Sequence, residues 1–170
     1  MKQMISINKK GTSLKGANQV FLEYMLGAIK VDQVINWAGE LLTSLDPLSC
    51  CPEIISIAEL KQIEVTSWKI QPDVLLKEIV EKYYADFKVR SVESDIYAKA
   101  CLREKCAELL LGKLTQPEFF AVVSNIYEMF KNPLWLGNLY HIASISEIYT
   151  NPAVFETELK KEIKKRLTEL

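Results

Sequence analysis

The chain has 170 residues, of which 49% are hydrophobic and 25% charged, the proportions of an ordinary globular domain. This length predicts a single domain over residues 1–170, and the formal net charge of −1 argues against nucleic acid as a partner. The apolar runs are all shorter than the roughly 20 residues that cross a bilayer, so we expect no membrane partner.

Residues 1–15 are polar and basic, and we expect them to form a flexible arm. The arm lacks the apolar segment of a secretory signal. The cysteines, Cys50, Cys51, Cys101 and Cys106, contain no C-x-x-C pair. We read them as reduced thiols and mostly as small core residues, which favours a cytoplasmic protein.

Helical periodicity begins after the arm. Asn18 is placed to cap a helix that runs to about residue 29. A second helix is predicted from Asp32 to the Asp46-Pro47 pair, because apolar residues recur on one face and polar residues oppose them. Trp37 falls at the edge of that apolar face. The residues expected to point inward are Phe21, Leu22, Met25 and Ile29 in the first helix, and Val34, Ile35, Ala38, Leu41, Leu42 and Leu45 in the second.

Pro52 and Pro72 each stand where a proline favours the first turn of a helix. The segment 61–71 has no clear period and is predicted to be a loop. The apolar residues of the first of these helices are Ile54, Ile55, Ile57, Ala58 and Leu60, and those expected to point inward in the second are Val74, Leu75, Ile79, Tyr83 and Phe87.

The clearest start and stop signals follow. Ser91 or Ser94 is expected to cap a helix carrying several apolar residues, and Gly112 is expected to end it. Thr115 and Glu118 have the spacing of a capping box and predict the start of the next helix.

Two Asn-Pro pairs predict further helix starts. We expect Asn132 to cap, and Pro133 to open, a helix that lies beside the one before it, and Asn151-Pro152 to open the last helix. The helix that starts at Thr115 and the helix that opens at Pro133 should meet along their apolar faces. The residues that we expect to be buried together there are Phe119, Ile126, Phe130 and Leu139. The last helix has apolar residues at helical spacing, namely Phe155, Leu159, Ile163, Leu167 and Leu170.

These elements amount to about eight helices. The sequence lacks both the alternating apolar pattern and the Asn-Gly or Asp-Gly turns of paired strands. The predicted fold class is therefore all-α, an irregular multi-helix bundle.

The sequence offers little that would support catalysis. His141 is the single histidine, and Glu147, six residues on, lies on the wrong helical face to share a metal with it. A Cys–His nucleophilic pair would need Cys101 or Cys106, and both lie in mid-helix between charged neighbours. Glycine-rich phosphate-binding and nucleophile-elbow motifs are absent. We therefore predict no catalytic residue, no cofactor and no metal ion.

Charge is distributed unevenly along the chain. Residues 1–30 carry a net charge of +4 and residues 31–65 a net charge of −5. The basic run at 159–166 is interleaved with glutamates, which is typical of a solvated helix face rather than of an RNA or membrane surface. An acidic stretch on two adjacent helices is suited to a basic protein partner. The partner-binding candidates are Asp32, Trp37, Glu40, Glu53 and Glu59, with Trp37 either an aromatic anchor or a residue packed at the rim of the core.

Four segments together resemble a known family. They are INWAGELL at 35–42, SIAEL at 56–60, AELLLGKLTQPEFF at 107–120 and WLGNLYHI at 135–142. Over about residues 31–148 the chain is similar to small all-helical bacterial immunity proteins of polymorphic or contact-dependent toxin systems. The resemblance implies a non-enzymatic cytoplasmic protein that binds and neutralises one cognate toxin. The alternative is a helical ligand-binding or enzymatic domain whose pocket is formed by residues distant in sequence.

Overall fold

The computed structural model describes residues 14–60, 72–146 and 151–170. Within these ranges the chain forms eight α-helices and short 3-10 turns but no strand, which confirms the all-α prediction. The loop predicted at 61–71, and the arm as far as residue 13, lie outside the described residues. The helices are α1 (Ala17–Met25), α2 (Val31–Leu42), α3 (Pro52–Glu59), α4 (Pro72–Tyr83), α5 (Val92–Leu110), α6 (Gln116–Phe130), α7 (Leu139–Ser144) and α8 (Pro152–Glu169).

Two hydrophobic cores share α1. One packs α1 against α2, α3 and α4, and its buried residues include Val20 and Ile54. The other packs α1 against α5, α6, α7 and α8, and it includes Leu22, Phe119 and Leu159. Because different side chains of α1 enter each core, this short helix connects the two halves of the bundle.

Lys15 was predicted to belong to the arm, but the structure anchors it. Its Nζ lies 2.7 Å from a Glu23 carboxylate oxygen, and its carbonyl oxygen accepts a hydrogen bond of 2.9 Å from the Trp37 indole N–H. Glu23 is only 4% exposed, so the lysine compensates a carboxylate that burial alone would destabilise. The assignment of Lys15 to a flexible arm is therefore wrong.

The predicted starts at proline are confirmed in three helices. Pro52, Pro72 and Pro152 are the first residues of α3, α4 and α8. At α8 the Asn151 side chain also accepts hydrogen bonds from the backbone N–H groups of Ala153 and Val154. This satisfies donors that the first turn of a helix leaves free.

The caps of α5 and α6 are also as the sequence predicts. Ser91 caps α5, since its hydroxyl accepts a hydrogen bond from the Ser94 backbone N–H. Thr115 and Glu118 form a reciprocal capping box at the start of α6. Gly112 has a φ of +67° and ends α5 as expected.

Gly27 ends α1 earlier than predicted. Its φ is +70°, and the next backbone N–H, that of Ala28, bonds back to the Glu23 carbonyl oxygen at 2.9 Å. This is the hydrogen bond of a Schellman cap, which terminates a helix. The predicted extension of the helix to about residue 29 is therefore wrong.

The Asn132-Pro133 pair does not open a helix. Lys131 and Asn132 both have left-handed backbone, with φ of 56° and 58°, and they end α6. Pro133 leads instead into a 3-10 turn, Leu134–Leu136, and Gly137 with φ 60° and ψ −137° separates that turn from α7. A helix cannot pass through this glycine conformation, so the single helix predicted here is broken in two.

Several apolar residues predicted to point inward are at the surface. Leu45 lies beyond the end of α2, where helical spacing no longer applies. In α4 the buried positions belong to Leu76 and Ile79, with Val80 beside them. The exposed residues are Met25, Leu42, Leu45, Val74 and Tyr83.

The aromatic cluster at the meeting of α6 and α7 is largely as predicted. Phe119, Ile126 and Leu139 are fully buried in one core. Phe130 is only half-buried, and its ring packs edge-on against Trp135 with centroids 5.9 Å apart. The cysteines also agree with the prediction of reduced thiols that are mostly in the core. All four are free thiols, with Cys50 exposed and the others buried.

Candidate functional site

The outer surface of α2 and α3 carries a groove of about 470 Å³. Ile35 forms part of its floor and is 9% exposed, while Ala58 contributes from α3 and is half-buried. The residues that line the groove are Ile35, Asn36, Gly39, Glu40, Thr43 and Ala58. We call this groove, together with Asp32 and Glu59 beside it, the α2–α3 surface.

Three of the five predicted partner-binding residues are exposed carboxylates on the α2–α3 surface. Asp32 and Glu40 are two helical turns apart on the same face of α2, which separates them by about 12 Å along the helix axis. Glu59 directly follows the groove residue Ala58 on α3. Within the described residues none of the three carboxylates forms an ion pair. The surface therefore presents exposed negative charge, of which Asp32 interacts electrostatically with nearby Lys30.

The start of α2 sets the orientation of this acidic face. The Lys30 backbone N–H donates a 2.8 Å hydrogen bond to the Gln33 side chain, which defines where the helix begins. Asp32 then lies in the first turn, where a negative side chain is favoured by the helix dipole. From there the helical repeat brings Glu40 to the same side.

Glu53 does not contribute to the α2–α3 surface. It is half-buried at the start of α3, and its Oε1 lies 3.3 Å from the Lys82 ammonium of α4. Its other carboxylate oxygen is buried and has no hydrogen-bond partner among the described residues. Glu53 thus serves the contact between α3 and α4 and lies outside the α2–α3 surface, and its role in partner binding stays a prediction.

Trp37 is part of the core rather than an exposed anchor. Its side chain is 8% exposed and packs with the residues of the first core. Its one hydrogen-bond donor is used by the Lys15 carbonyl oxygen. A partner would find little of this ring to contact, so of the two interpretations from sequence the structure supports core packing.

The apolar rim of the α2–α3 surface was missed by the sequence analysis. Val31 and Leu42 are 43% and 37% exposed, and they share a face of α2 with Ile35 and Gly39. The spacing 31, 35, 39 and 42 is itself a helical repeat, so the signal was present. Of these four residues only Ile35 and Leu42 were predicted to point inward, because helical spacing does not say which face a neighbouring helix covers.

The thiols of α5 are poorly suited to nucleophilic chemistry. Burial raises the pKa of both Cys101 and Cys106 to about 12, so both are protonated near neutral pH. His141 is exposed on α7. No group of three or more His, Cys, Asp or Glu side chains in the described ranges is placed to hold a metal ion.

Comparison with protein-family models, with curated proteins and with solved structures gave no match to this chain. Among the helices that the structure describes, none is long and apolar enough to cross a membrane. The function must therefore be argued from the α2–α3 surface and from the other concave surfaces of the molecule.

Another groove, of about 680 Å³, lies where α6, α7 and α8 meet. Three aromatic side chains, Phe120, Tyr140 and Phe155, line it. The Tyr140 ring is stacked on Tyr127 with centroids 3.6 Å apart, which holds it in place. This volume is in the range of small-molecule sites.

The basic run of α8 is only partly the solvated face that its sequence predicts. Lys160 is exposed and pairs with Glu156 at 3.1 Å, as expected. Arg166, in contrast, is 4% exposed, with its Nε 3.1 Å from Glu162 and its Nη1 donating to the Trp135 carbonyl oxygen. The apolar residues of α8 recur at helical spacing, and positions 162 and 166 fall on the same face of the helix. The sequence therefore contained a signal that Arg166 is buried.

Proposed function

We propose that this protein is a non-enzymatic interaction module that binds a basic protein partner through the α2–α3 surface. The observation that carries the proposal is the exposed carboxylate of Glu40 in the lining of a partly apolar groove, with Asp32 on the same face of α2 and Glu59 on α3. All three are exposed, and none forms an ion pair with the described residues. Protein interfaces combine an apolar centre with a polar rim in this way. Negative charge at the rim accelerates encounter with a positively charged partner.

At a finer level we propose that the partner is a bacterial toxin and that the protein is its immunity protein. Support comes from the resemblance of residues 31–148 to immunity proteins and from the acidic surface, which is complementary to a basic, nuclease-like toxin. The mechanism would be occlusion: the bound protein covers the toxin's active surface, and matched charge sets the rate of capture.

The first experiment is co-expression with the products of neighbouring genes. Rescue of growth by this protein, followed by isolation of the complex, would support the proposal. A charge-reversal variant, Glu40→Lys with Glu59→Lys, should slow association and flatten its dependence on salt, because rim charges act mainly on the association rate.

A matched control has the same change of charge elsewhere. Glu104 of α5 and Glu128 of α6 are exposed and in no ion pair with the described residues. Reversing this pair to lysine should leave association nearly unchanged. If the two double variants behave alike, or if no neighbouring gene product binds, the α2–α3 surface is not the interface.

The groove of α6, α7 and α8 favours a second candidate function, that of a helical ligand-binding or enzymatic domain. Its aromatic lining would suit a compact apolar ligand. A screen of metabolite mixtures by thermal shift tests this candidate. A ligand whose stabilisation is lost in Tyr140→Ala, but kept in Glu40→Lys, would favour it over the interaction module.

A further inference from the structure

Gly39 has no evident structural role within α2. It lies in the middle of the helix, where glycine is less favourable than alanine because it loses more conformational freedom on folding. Its backbone is not in the left-handed region that requires glycine, unlike that of Gly112 and Gly137. A methyl group added at Gly39 would have no described atom within 4 Å. Nothing in the described fold therefore needs the missing side chain.

The same position lies in an apolar stripe of α2 that is exposed at both of its ends. Val31, Ile35, Gly39 and Leu42 follow one another at helical spacing along α2. Both ends of the stripe are partly exposed, at 43% for Val31 and 37% for Leu42. A partly exposed apolar stripe interrupted by a glycine suits another helix that approaches closely, because packing distance depends on the side chains at the crossing.

We infer that a basic α-helix of the partner lies in the groove between α2 and α3 and crosses α2 most closely at Gly39. This inference rests on the function proposed above, and it adds the structure and the charge pattern of the partner segment. The groove between two packed helices accepts the ridge of a third helix. The absence of a side chain at Gly39 lets the partner backbone approach, as glycine does elsewhere at close contacts.

The carboxylates specify where positive charge is needed. Asp32 and Glu40 are about 12 Å apart along α2, so lysine or arginine residues about two turns apart on the partner helix would meet both. Glu59 is exposed and follows the groove residue Ala58 in the sequence of α3, so it adds a third negative charge on that helix. The partner helix therefore carries apolar or small residues on one stripe, with basic residues on both sides of it.

The probe for this inference is a synthetic helical peptide of about 20 residues, long enough to be helical in part, with leucine and alanine on one face and lysine beside them. Binding is followed by the backbone amide signals of the ¹⁵N-labelled protein. The chain has only 6 glycines, so the signal of Gly39 is readily resolved. We expect the largest shifts at Gly39 and Glu40, and none with a peptide that has glutamate in place of lysine.

Filling the space at Gly39 provides the decisive test. Gly39→Leu should raise the dissociation constant for the lysine peptide by at least about tenfold, the effect of a central interface residue. Gly39→Ala should weaken binding less while raising the melting temperature, which shows that the fold is intact. The control is Ala153→Leu, which adds nearly as much bulk at an exposed position of α8 and should bind the peptide as the wild type does.

The outcomes separate this inference from the proposed function. If Gly39→Leu binds as the wild type does while Glu40→Lys with Glu59→Lys loses binding, the surface is correct but no helix crosses at Gly39, and the inference is overturned. If the lysine peptide shifts no signal on α2 and α3 at millimolar concentration, both the inference and the proposed surface are overturned. Loss of binding in both variants, with the control unchanged, supports both.

Discussion

Lys30 and Glu118 connect the two halves of the bundle: the lysine Nζ lies 3.0 Å from the glutamate Oε1. Lys30 belongs to the turn between α1 and α2, whereas the other oxygen of Glu118 accepts hydrogen bonds from the Thr115 backbone N–H and hydroxyl at the start of α6. Close by, the Asn125 side chain donates to the Leu26 carbonyl oxygen at 3.0 Å. One carboxylate thus caps a helix and holds the turn that leads into the α2–α3 surface.

Stability should depend on pH through Glu118. Hydrogen bonds from Thr115 and Lys30 lower the pKa of Glu118 from 4.5 to about 2. Because the folded pKa is the lower one, the stabilisation is fully present above pH 4.5 and is lost as the pH falls toward 2. We expect the free energy of unfolding of Glu118→Gln to change less over this interval than that of the wild type, as measured by urea unfolding. Parallel curves for the two proteins would contradict the assignment.

Core substitutions should distinguish Phe119 from Phe130. Phe119 is fully buried, so Phe119→Ala should lower the free energy of unfolding by about 3–5 kcal/mol. Phe130 is half-buried, packing at the edge of the same core and against Trp135, so Phe130→Ala should cost less. Urea midpoints for the two variants measure the difference. A larger loss for Phe130→Ala would show that the packing of α6 is described wrongly.

Two glycines with similar φ provide a matched comparison. Gly112→Ala adds a methyl group with nothing within 4 Å, so it should cost only the left-handed strain of about 1–2 kcal/mol. At Gly137 the same methyl group would lie 2.6 Å from Glu162 Oε1 and 2.8 Å from Arg166 Cζ. Gly137→Ala should therefore destabilise the protein clearly more, because it displaces a buried ion pair and because φ 60° with ψ −137° lies outside the left-handed helical region that alanine can adopt. Equal shifts in melting temperature would argue against the close contact.

Substitution of Trp37 should lower the stability of the fold rather than weaken partner binding directly. Trp37→Ala removes a buried ring and should lower the free energy of unfolding by about 3–5 kcal/mol. Trp37→Phe keeps much of the packing and loses the hydrogen bond to Lys15, which should cost about 0.5–1.5 kcal/mol for the bond itself. Calorimetry on the two variants tests whether Trp37→Ala lowers the melting temperature more than Trp37→Phe does. An unchanged melting temperature for Trp37→Ala would restore the interpretation as an exposed anchor.

The helix starts could be predicted because their signals are local. A proline in the first turn and a serine, threonine or asparagine cap act within a few residues, as at Pro52 and Thr115. The helix ends were harder to predict from the sequence. At Gly137 the sequence carries both a glycine and the helical spacing of Leu136 and Leu139, and the backbone conformation of the glycine decides between them.

Which apolar face becomes core is a tertiary property. Leu42 and Ile35 lie on neighbouring parts of the same helix, yet one is 37% exposed and the other 9%. For the same reason the acidic candidates separated into exposed Glu40 and Glu59 and half-buried Glu53, whose partner Lys82 comes from another helix. Charge on one helix can be read from sequence, whereas its neutralisation by a distant residue cannot.

The position of α1 between two cores has a consequence for the nascent chain. When α1 leaves the ribosome, α5 and the helices after it have not been made, so Leu22 and Leu26 have no partners to cover them. The first four helices can pack among themselves through Val20 and Phe21, but the apolar side of α1 that packs on α5 to α8 stays exposed until those helices have been made. Native packing of the early helices must therefore wait for the late ones, and a fragment ending after α4 should aggregate rather than fold.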